Sequence, residues 1–163
     1  MIIRPLRDSD VDACAALMLA MPLWTRYQTT REAARGLFAG AAAGGSQALV
    51  AEDGGRVIGF VVYSLRGTFD RSGYVRAIGI AAEAQRLGAG ARLMDAAERE
   101  IFGAGPNVFL LVAVFNAGAQ RFYEKRGYRR IGEITDYVRE GITEILYRKS
   151  RGPIQARETA RES

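Results

Sequence analysis

Apolar residues follow two kinds of pattern along this chain. Short apolar runs bounded by glycine, proline or polar residues predict strands, and apolar residues three or four positions apart predict helices. The runs predict strands over residues 2–6, 47–52, 56–65, 74–81, 107–115, 128–138 and 142–148. The helical spacing predicts helices from Asp8 or Ser9 to Pro22, over 29–42, after Gly88 as far as Gly105, and over 119–126.

The connections between these elements contain characteristic turn residues. Asp53-Gly54-Gly55 is a strong signal for a β-hairpin. Thr29 and Glu32 have the spacing of a capping box, which predicts that Thr29 caps the second helix. Residues 23–27 are predicted to form a loop with two large aromatic side chains, and residues 66–73 a polar loop.

A strand, a turn and a helix in the middle of the chain form a candidate anion site. The apolar run 74–81 leads into the basic turn 85–90, and an amphipathic helix pattern follows. The first N–H groups of a helix lack partners within it, and the helix dipole adds positive charge, so a phosphate suits this position. Gly88 and Gly90 let an anion approach the main chain because they have no Cβ. An ordinary connection that needs two glycines explains the same turn equally well.

Composition bounds the class of protein. The 163 residues suffice for one domain with a substantial core, and 48% hydrophobic and 25% charged residues are typical of a soluble globular protein. The net charge of +5 favours an anionic ligand, but the basic residues are scattered and form no nucleic-acid-binding block. The single cysteine, Cys14, excludes an internal disulfide and fits a reducing compartment, so we predict a cytoplasmic location.

Missing residues exclude several kinds of chemistry. The chain contains no histidine, which rules out Ser-His and Cys-His nucleophile pairs and histidine-based zinc sites. There is no P-loop motif, and residues 88–93 lack the third glycine of a dinucleotide-binding fingerprint. No apolar segment approaches a membrane span. We therefore predict no metal, no nucleic acid and no membrane as partners.

Two motifs, in this order, carry a family resemblance. The first is Gln85-Arg86-Leu87-Gly88-Ala89-Gly90, and the second is Val112-Ala113-Val114-Phe115-Asn116 followed by Ala119, Phe122-Tyr123-Glu124-Lys125 and Gly127-Tyr128. Over residues 1–149 the chain resembles the GNAT superfamily of acyl-CoA-dependent N-acetyltransferases. The first motif fits the family's Q/R-x-x-G-x-G/A pyrophosphate loop. Each motif alone is weak evidence, whereas their order, separation and strand–helix context are specific.

The resemblance implies a fold of the α+β (α/β) class. It consists of a mixed, mostly antiparallel sheet of six to seven strands, flanked by helices. The strands over 74–81 and 107–115 are expected to run parallel at the centre and to splay apart, with the cofactor's pantetheine arm between them. The domain is predicted over 1–149, and residues 150–163 are predicted to be a polar, disordered tail.

The resemblance also implies the residues that bind acetyl-CoA. Backbone groups of Ile78 and Ile80 would pair with the pantetheine amides like an added strand, and main-chain amides of 85–91 would hold the pyrophosphate, with charge from Arg86. Asn116 would contact the pantetheine arm, or cap a helix, or do both. The implied cofactor-binding residues are Ile78, Gly79, Ile80, Gln85, Arg86, Leu87, Gly88, Ala89, Gly90, Ala91, Asn116 and Tyr123. Gly79 has the alternative explanation of a β-bulge.

Tyr123 is the predicted general acid. A phenol within hydrogen-bond reach can protonate the departing CoA thiolate. A tyrosine at a helical position beside Phe122 is otherwise a core residue, and the surrounding motif favours the catalytic interpretation.

The general base is not provided by either familiar subfamily position. Tyr74 and Leu111 stand where histone-type and ribosomal-protein N-terminal acetyltransferases carry a glutamate. The remaining carboxylates near the expected pocket belong to Asp70, Glu133, Asp136 and Glu144. Asp136 is the preferred candidate, against two alternatives: a charged residue on a solvated loop, and deprotonation through water.

The acceptor pocket is expected to be lined by the 23–27 loop and the last hairpin. Trp24, Tyr27 and Tyr137 would provide apolar walls and a cation–π contact for an ammonium group, or would simply pack in the core. The acceptor is a small-molecule or peptide amine of unidentified structure. With no cysteine placed to carry the acyl group, we expect direct transfer in a ternary complex, by a monomer or homodimer. The alternatives are a non-catalytic acyl-CoA-binding sensor and a protein that binds nucleotides or nucleic acids electrostatically.

Overall fold

A seven-stranded mixed sheet with helices on both faces forms the protein, as seen in a computed structural model that describes residues 1–155. The spatial order of the strands is β1-β2-β3-β4-β5-β7-β6. The strands are β1 (Ile2–Pro5), β2 (Gln47–Asp53), β3 (Arg56–Thr68), β4 (Ser72–Ile80), β5 (Asn107–Ala113), β6 (Arg129–Thr135) and β7 (Thr143–Ser150). The helices are α1 (Val11–Leu19), α2 (Pro22–Arg26), α3 (Arg31–Ala42), α4 (Ala89–Ala104) and α5 (Ala117–Lys125).

The sheet separates two hydrophobic cores. Alternating residues of β3 show this, because Val61 packs with α4 and α5 on one face while Phe60 and Val62 pack with α1 and α3 on the other. All three side chains are 0% exposed. Burial on both faces explains why the central runs of the sequence are continuously apolar rather than alternating.

The only parallel pair among the described strands, β4 and β5, opens along its length. The two strands pair at Gly73 with Val108, at Tyr74 with Phe109 and at Val75 with Leu110, and not beyond. Every other neighbouring pair of strands is antiparallel. The predicted mixed, mostly antiparallel sheet with a splayed parallel pair is therefore confirmed.

Three local predictions at the helix ends are wrong. Thr30, not Thr29, caps α3, since its hydroxyl accepts a hydrogen bond from the Ala33 N–H at 3.1 Å. Pro22 does not simply end a helix; it opens the short helix α2 where a loop was predicted, because its fixed φ suits a first helical position. Neither Asp8 nor Ser9 caps α1, because Asp8–Asp10 form a 3₁₀ turn and α1 begins at Val11.

Two strand boundaries also differ from the prediction. The expected 66–73 loop is mostly strand, and only a tight turn at Phe69 and Asp70, both with positive φ, separates β3 from β4. Ser150, predicted to start the tail, is the last residue of β7, where it pairs with Asn107. Residues 156–163 of the predicted tail lie outside the described part of the chain.

Candidate functional site

The gap between β4 and β5 opens into a cavity of about 1130 Å³. Both strands line it, together with helices from the two sides of the sheet: α1 to α3 on one side, α4 and α5 on the other. The cavity therefore passes from one face of the sheet to the other. A ligand in it can be held from one face while its reactive end reaches groups on the other.

The edge of β4 that faces the gap provides backbone hydrogen-bonding groups. From Arg76 to Ile80 this edge has no strand partner, while the opposite edge of β4 pairs with β3. Ile78, Gly79 and Ile80 all line the cavity, as predicted for a pantetheine-binding edge. Such an edge accepts an extended ligand in the manner of an added strand.

Gly79 is required by packing rather than by a bulge. A Cβ at this position would lie 2.6 Å from the Phe60 ring and 2.8 Å from the Met21 sulfur. The register shift in β4 instead falls at Arg76, between Val75, which pairs with Tyr63, and Ala77, which pairs with Val62. The bulge explanation for Gly79 is therefore wrong.

The glycine-bearing turn leads into the N-terminus of α4. Residues Ala82–Leu87 form a 3₁₀ helix, Gly88 has a left-handed φ of 74°, and α4 begins at Ala89. No side chain caps α4, so its first N–H groups remain available to an anion. Gly88 is needed for its positive φ, since nothing lies within 4 Å of a Cβ built there.

The predicted members of this turn differ in their access to the cavity. Four of them line it: Gln85, Gly88, Gly90 and Ala91. Arg86 and Leu87 are exposed outside it, and Ala89 is 0% exposed. If Arg86, Leu87 and Ala89 contact the cofactor as predicted, they do so through their main-chain groups. Arg86 would also add charge at the rim of the cavity.

Tyr123 lies on α5 and borders the cavity from the face of the sheet that carries α4. Its side chain is 5% exposed, and its ring packs edge-on against Phe122 and Tyr128. The hydroxyl has no hydrogen-bond partner among the described residues, yet it is not one of the fully buried unpaired polar atoms. The hydroxyl therefore opens onto the cavity. Burial raises the pKa of Tyr123, Glu98 raises it further, and Arg126 opposes both, so the phenol keeps its proton at neutral pH.

A buried carboxylate fixes the position of α5. Glu98 on α4 is 7% exposed and accepts hydrogen bonds from the Tyr128 hydroxyl at 3.0 Å and from Lys149 Nζ at 2.8 Å. Arg126, just after α5, lies 3.2 Å from the same carboxylate. These contacts tie the end of α5 to α4 and to β7, and so hold Tyr123 against the cavity.

Asn116 caps α5 and also lines the cavity. Its side-chain oxygen accepts a hydrogen bond from the Ala119 N–H at 3.1 Å. The capping role is therefore observed, and contact with the cofactor remains a prediction.

Aromatic side chains surround the part of the cavity that faces α2. Trp24, Tyr27 and Tyr137, predicted from the sequence, all line it, and Tyr74 adds a fourth ring. The Trp24 and Tyr27 ring centroids are 6.0 Å apart. The last loop contacts α2 through Arg139, whose Nη1 donates to the Tyr27 carbonyl at 3.4 Å. The predicted meeting of residues 23–27 with the last hairpin is thus present.

Glu144 is the carboxylate that the structure places in the cavity wall. It pairs with Ala113 at the end of β5, is 2% exposed, and accepts a short hydrogen bond from the Tyr27 hydroxyl through Oε1. Its second oxygen, Oε2, has no partner among the described residues and is not a fully buried unpaired atom, so it opens onto the cavity. Burial and the bond to Glu144 raise the pKa of Tyr27, which keeps this hydroxyl a donor.

Asp136, the preferred base from the sequence, does not line the cavity. It has a positive φ of 52°, and its Oδ1 accepts a hydrogen bond from the Gly141 N–H at 2.6 Å. The side chain is exposed and closes the turn between β6 and β7. This position corrects the sequence-based choice, because the carboxylate is bound to the turn and faces solvent rather than the gap.

The described residues contain neither a metal-binding cluster nor a membrane-spanning helix. No group of three or more His, Cys, Asp or Glu side chains among residues 1–155 could hold a metal ion. No helix in that part of the chain is both long and apolar enough to cross a membrane.

The family follows from this fold together with a sequence comparison. A model of the acetyltransferase (GNAT) family matches residues 14–128. The chain therefore belongs to the GNAT acetyltransferase family and is an acyltransferase. It is 33% identical over 112 residues to an uncharacterized N-acetyltransferase of Methanocaldococcus jannaschii, an alignment that spans 64% of this chain and 69% of that protein.

Solved structures share the fold at low sequence identity. An acetyltransferase structure from Desulfovibrio desulfuricans, assigned to the GNAT family, has a TM-score of 0.79 at 19% identity. The match covers 91% of this chain and 98% of that chain. An aminoglycoside 6'-N-acetyltransferase in complex with coenzyme A has a TM-score of 0.75 at 15% identity. The match covers 96% of this chain and 100% of that chain. At these identities the likeness establishes the fold alone.

Proposed function

We propose that this protein transfers an acetyl group from acetyl-CoA to a primary amine, directly, within a ternary complex. The observation that carries the proposal is the cavity between β4 and β5. A phenol borders it from one face of the sheet, and a buried carboxylate lies in its wall on the other.

The residues on one side of this cavity fit a CoA molecule. Backbone groups of Ile78 and Ile80 would hold the pantetheine amides along the free edge of β4. The uncapped main-chain amides at the start of α4 would hold the pyrophosphate. Gly88 directly precedes this helix, and Gly90 lies in its first turn. The coenzyme A complex of the structurally similar aminoglycoside acetyltransferase is consistent with CoA binding by this fold. When bound, acetyl-CoA supplies an activated acyl group as a thioester.

Tyr123 is the group that we assign to protonate the leaving sulfur. Its hydroxyl opens onto the cavity and keeps its proton at neutral pH. A positioned acid of this kind typically contributes about 10²- to 10⁴-fold to a rate.

Glu144 replaces Asp136 as the group that we assign to deprotonate the acceptor. Its Oε2 opens onto the cavity, and the Tyr27 hydrogen bond fixes the carboxylate plane. An ammonium acceptor loses two protons during transfer: one passes through Glu144 to solvent, and the other restores the proton that Tyr123 gives to sulfur. The carbon–nitrogen bond forms as the carbon–sulfur bond breaks.

Direct transfer is favoured over an acyl-enzyme because of where Cys14 lies. The thiol is 0% exposed in the core between α1 and the sheet, and burial raises its pKa to about 12. A thiol that is neither ionised nor accessible cannot serve as a nucleophile. The same lone cysteine is the basis for proposing a cytoplasmic location.

Thermal-shift titration with acetyl-CoA, followed by an amine panel read out through free thiol, tests the proposal. Stabilisation by acetyl-CoA and amine-dependent thiol release are expected. Stabilisation without thiol release from any amine would favour the acyl-CoA-binding sensor instead. No stabilisation at all would contradict CoA binding in this cavity.

A further inference from the structure

The acceptor half of the cavity contains polar atoms whose partners are missing from the protein. Trp24 Nε1 is the only fully buried side-chain nitrogen or oxygen in residues 1–155 without a hydrogen-bond partner. Glu144 Oε2 lacks a partner within the same residues and opens onto the cavity. Trp24 Nε1 has no exposed surface, so a ligand does not reach it in this conformation, whereas a donor in the cavity can reach Glu144 Oε2.

Arg76 adds an uncompensated positive charge at the rim of this half. It lines the cavity at the β4 bulge and forms no ion pair with another described residue. Tyr74, Arg76 and Glu144 all line the cavity. Burial raises the pKa of Tyr74, Tyr137 raises it further, Arg76 lowers it and Glu144 raises it. Arg76 therefore supplies positive charge to the same cavity as the Glu144 carboxylate.

The surrounding charges disfavour a polycationic acceptor. Glu144 is the only carboxylate among the described lining residues. Arg76 is the only basic residue among the same lining residues. One carboxylate is enough for one ammonium group, and further amines would meet arginine rather than acid.

We propose that the acceptor is a small amino carboxylate, of which a free α-amino acid is the simplest case. Its ammonium binds Glu144 Oε2, its carboxylate pairs with Arg76, and its side chain packs among the aromatic rings. One unpaired carboxylate oxygen, on Glu144, and one guanidinium, on Arg76, match the two charged groups of such a molecule. This assignment rests on the proposed N-acetyltransferase function and narrows its substrate class.

Matched substrate pairs separate the carboxylate from the rest of the acceptor. The pairs are phenylalanine with phenethylamine, tyrosine with tyramine and leucine with isopentylamine, and spermidine serves as a polycation. kcat/KM is measured by thiol release with saturating acetyl-CoA. We expect the amino acid to be preferred by about two- to fivefold in at least one pair, the scale of one exposed ion pair.

Arg76→Gln assigns the preference to its side chain. This exposed substitution is expected to remove the preference by raising KM for the amino acid, with little change for the matched amine. Arg129→Gln, an exposed arginine on β6 outside the cavity, is the control and should keep the preference. Thermal shifts with acetyl-CoA verify that both variants are folded.

Each result supports or overturns the assignment. Equal or better turnover of the amines or spermidine overturns it, as does a preference that persists in Arg76→Gln. Absence of turnover for every amino acid, with acetyl-CoA still bound, also overturns it. Turnover of the amines leaves the acetyltransferase proposal intact, whereas absence of acetyl-CoA binding contradicts that proposal instead.

Discussion

The Tyr27 hydroxyl on the end of α2 donates a hydrogen bond to Glu144 Oε1 at the start of β7. The two residues come from opposite ends of the sequence and meet over the open end of the β4–β5 gap. Because one carboxylate oxygen is held by Tyr27, the other is aimed into the cavity. This arrangement is the basis for assigning proton removal to Glu144.

Replacing Glu144 by Gln tests that assignment. We expect kcat with an amine acceptor to fall by about 10²-fold, because the amide cannot accept a proton. Acetyl-CoA affinity should change little, since Glu144 faces the acceptor half. Asp136→Asn is the comparison, and it should retain turnover because its carboxylate closes an exposed turn. A large loss in Asp136→Asn with none in Glu144→Gln would restore the sequence-based choice.

Replacing Tyr123 by Phe removes the proposed acid while preserving the packing of the ring. We expect kcat to fall by about 10²-fold or more, with nearly unchanged acetyl-CoA affinity measured by calorimetry. Tyr147→Phe is a suitable control, because the Tyr147 hydroxyl donates to Glu124 at 2.8 Å and Tyr147 does not line the cavity. Unchanged turnover in Tyr123→Phe would remove the general-acid assignment.

Replacing Gly88 by Val tests the anion-binding turn. A β-branched residue at φ 74° strains the turn by about 1–3 kcal/mol and shifts the amides at the start of α4, so acetyl-CoA affinity should fall about tenfold or more. Gly54→Val is the matched control, since Gly54 also has a positive φ but lies in the β2–β3 hairpin. Equal affinities of the two variants would argue against a role for the turn.

Acid stability should depend on the Arg4–Asp10 pair. Arg4 lies 2.7 Å from Asp10, and their hydrogen bond lowers the pKa of that carboxyl below its usual value of about 4. A lowered native pKa adds stability above about pH 4 that is lost as the pH falls through the native pKa.

Urea unfolding at pH 7 and at pH 3 measures this contribution. Asp10→Asn should be less stable than the parent at pH 7 and should approach it at pH 3. Asp12→Asn serves as control, because Asp12 pairs with Arg35 on the surface with a side chain that is 71% exposed. A constant difference between Asp10→Asn and the parent at both pH values would show that the pair does not titrate in this range.

The parts of the site that could be predicted from the sequence are those made by neighbouring residues. The turn at Gly88 and the edge at Ile78 each belong to one continuous segment, and so the motifs locate them. Glu144 could not be selected this way, because its position depends on β7 lying between β5 and β6. That pairing places it opposite Ala113, at the end of the gap.

Asp136 and Gly79 show how local patterns mislead. Its nearness to the last turn makes Asp136 the preferred base in the sequence, but the same nearness lets its carboxylate bind the Gly141 N–H. Gly79 suggested a bulge, whereas contacts from Phe60 and Met21, distant in sequence, explain it. A signal for Glu144 does exist in the sequence: an acidic residue within the first positions of a strand, directly before its apolar run. It becomes selective only once the strand order is known.

A crystal structure with CoA and an amine acceptor tests the central claim most directly. The account predicts the CoA sulfur in the β4–β5 gap within hydrogen-bond distance of the Tyr123 hydroxyl, and the acceptor nitrogen beside Glu144 Oε2. CoA bound elsewhere, or a sulfur atom out of reach of Tyr123 with Glu144 still bonded only to Tyr27, would contradict it.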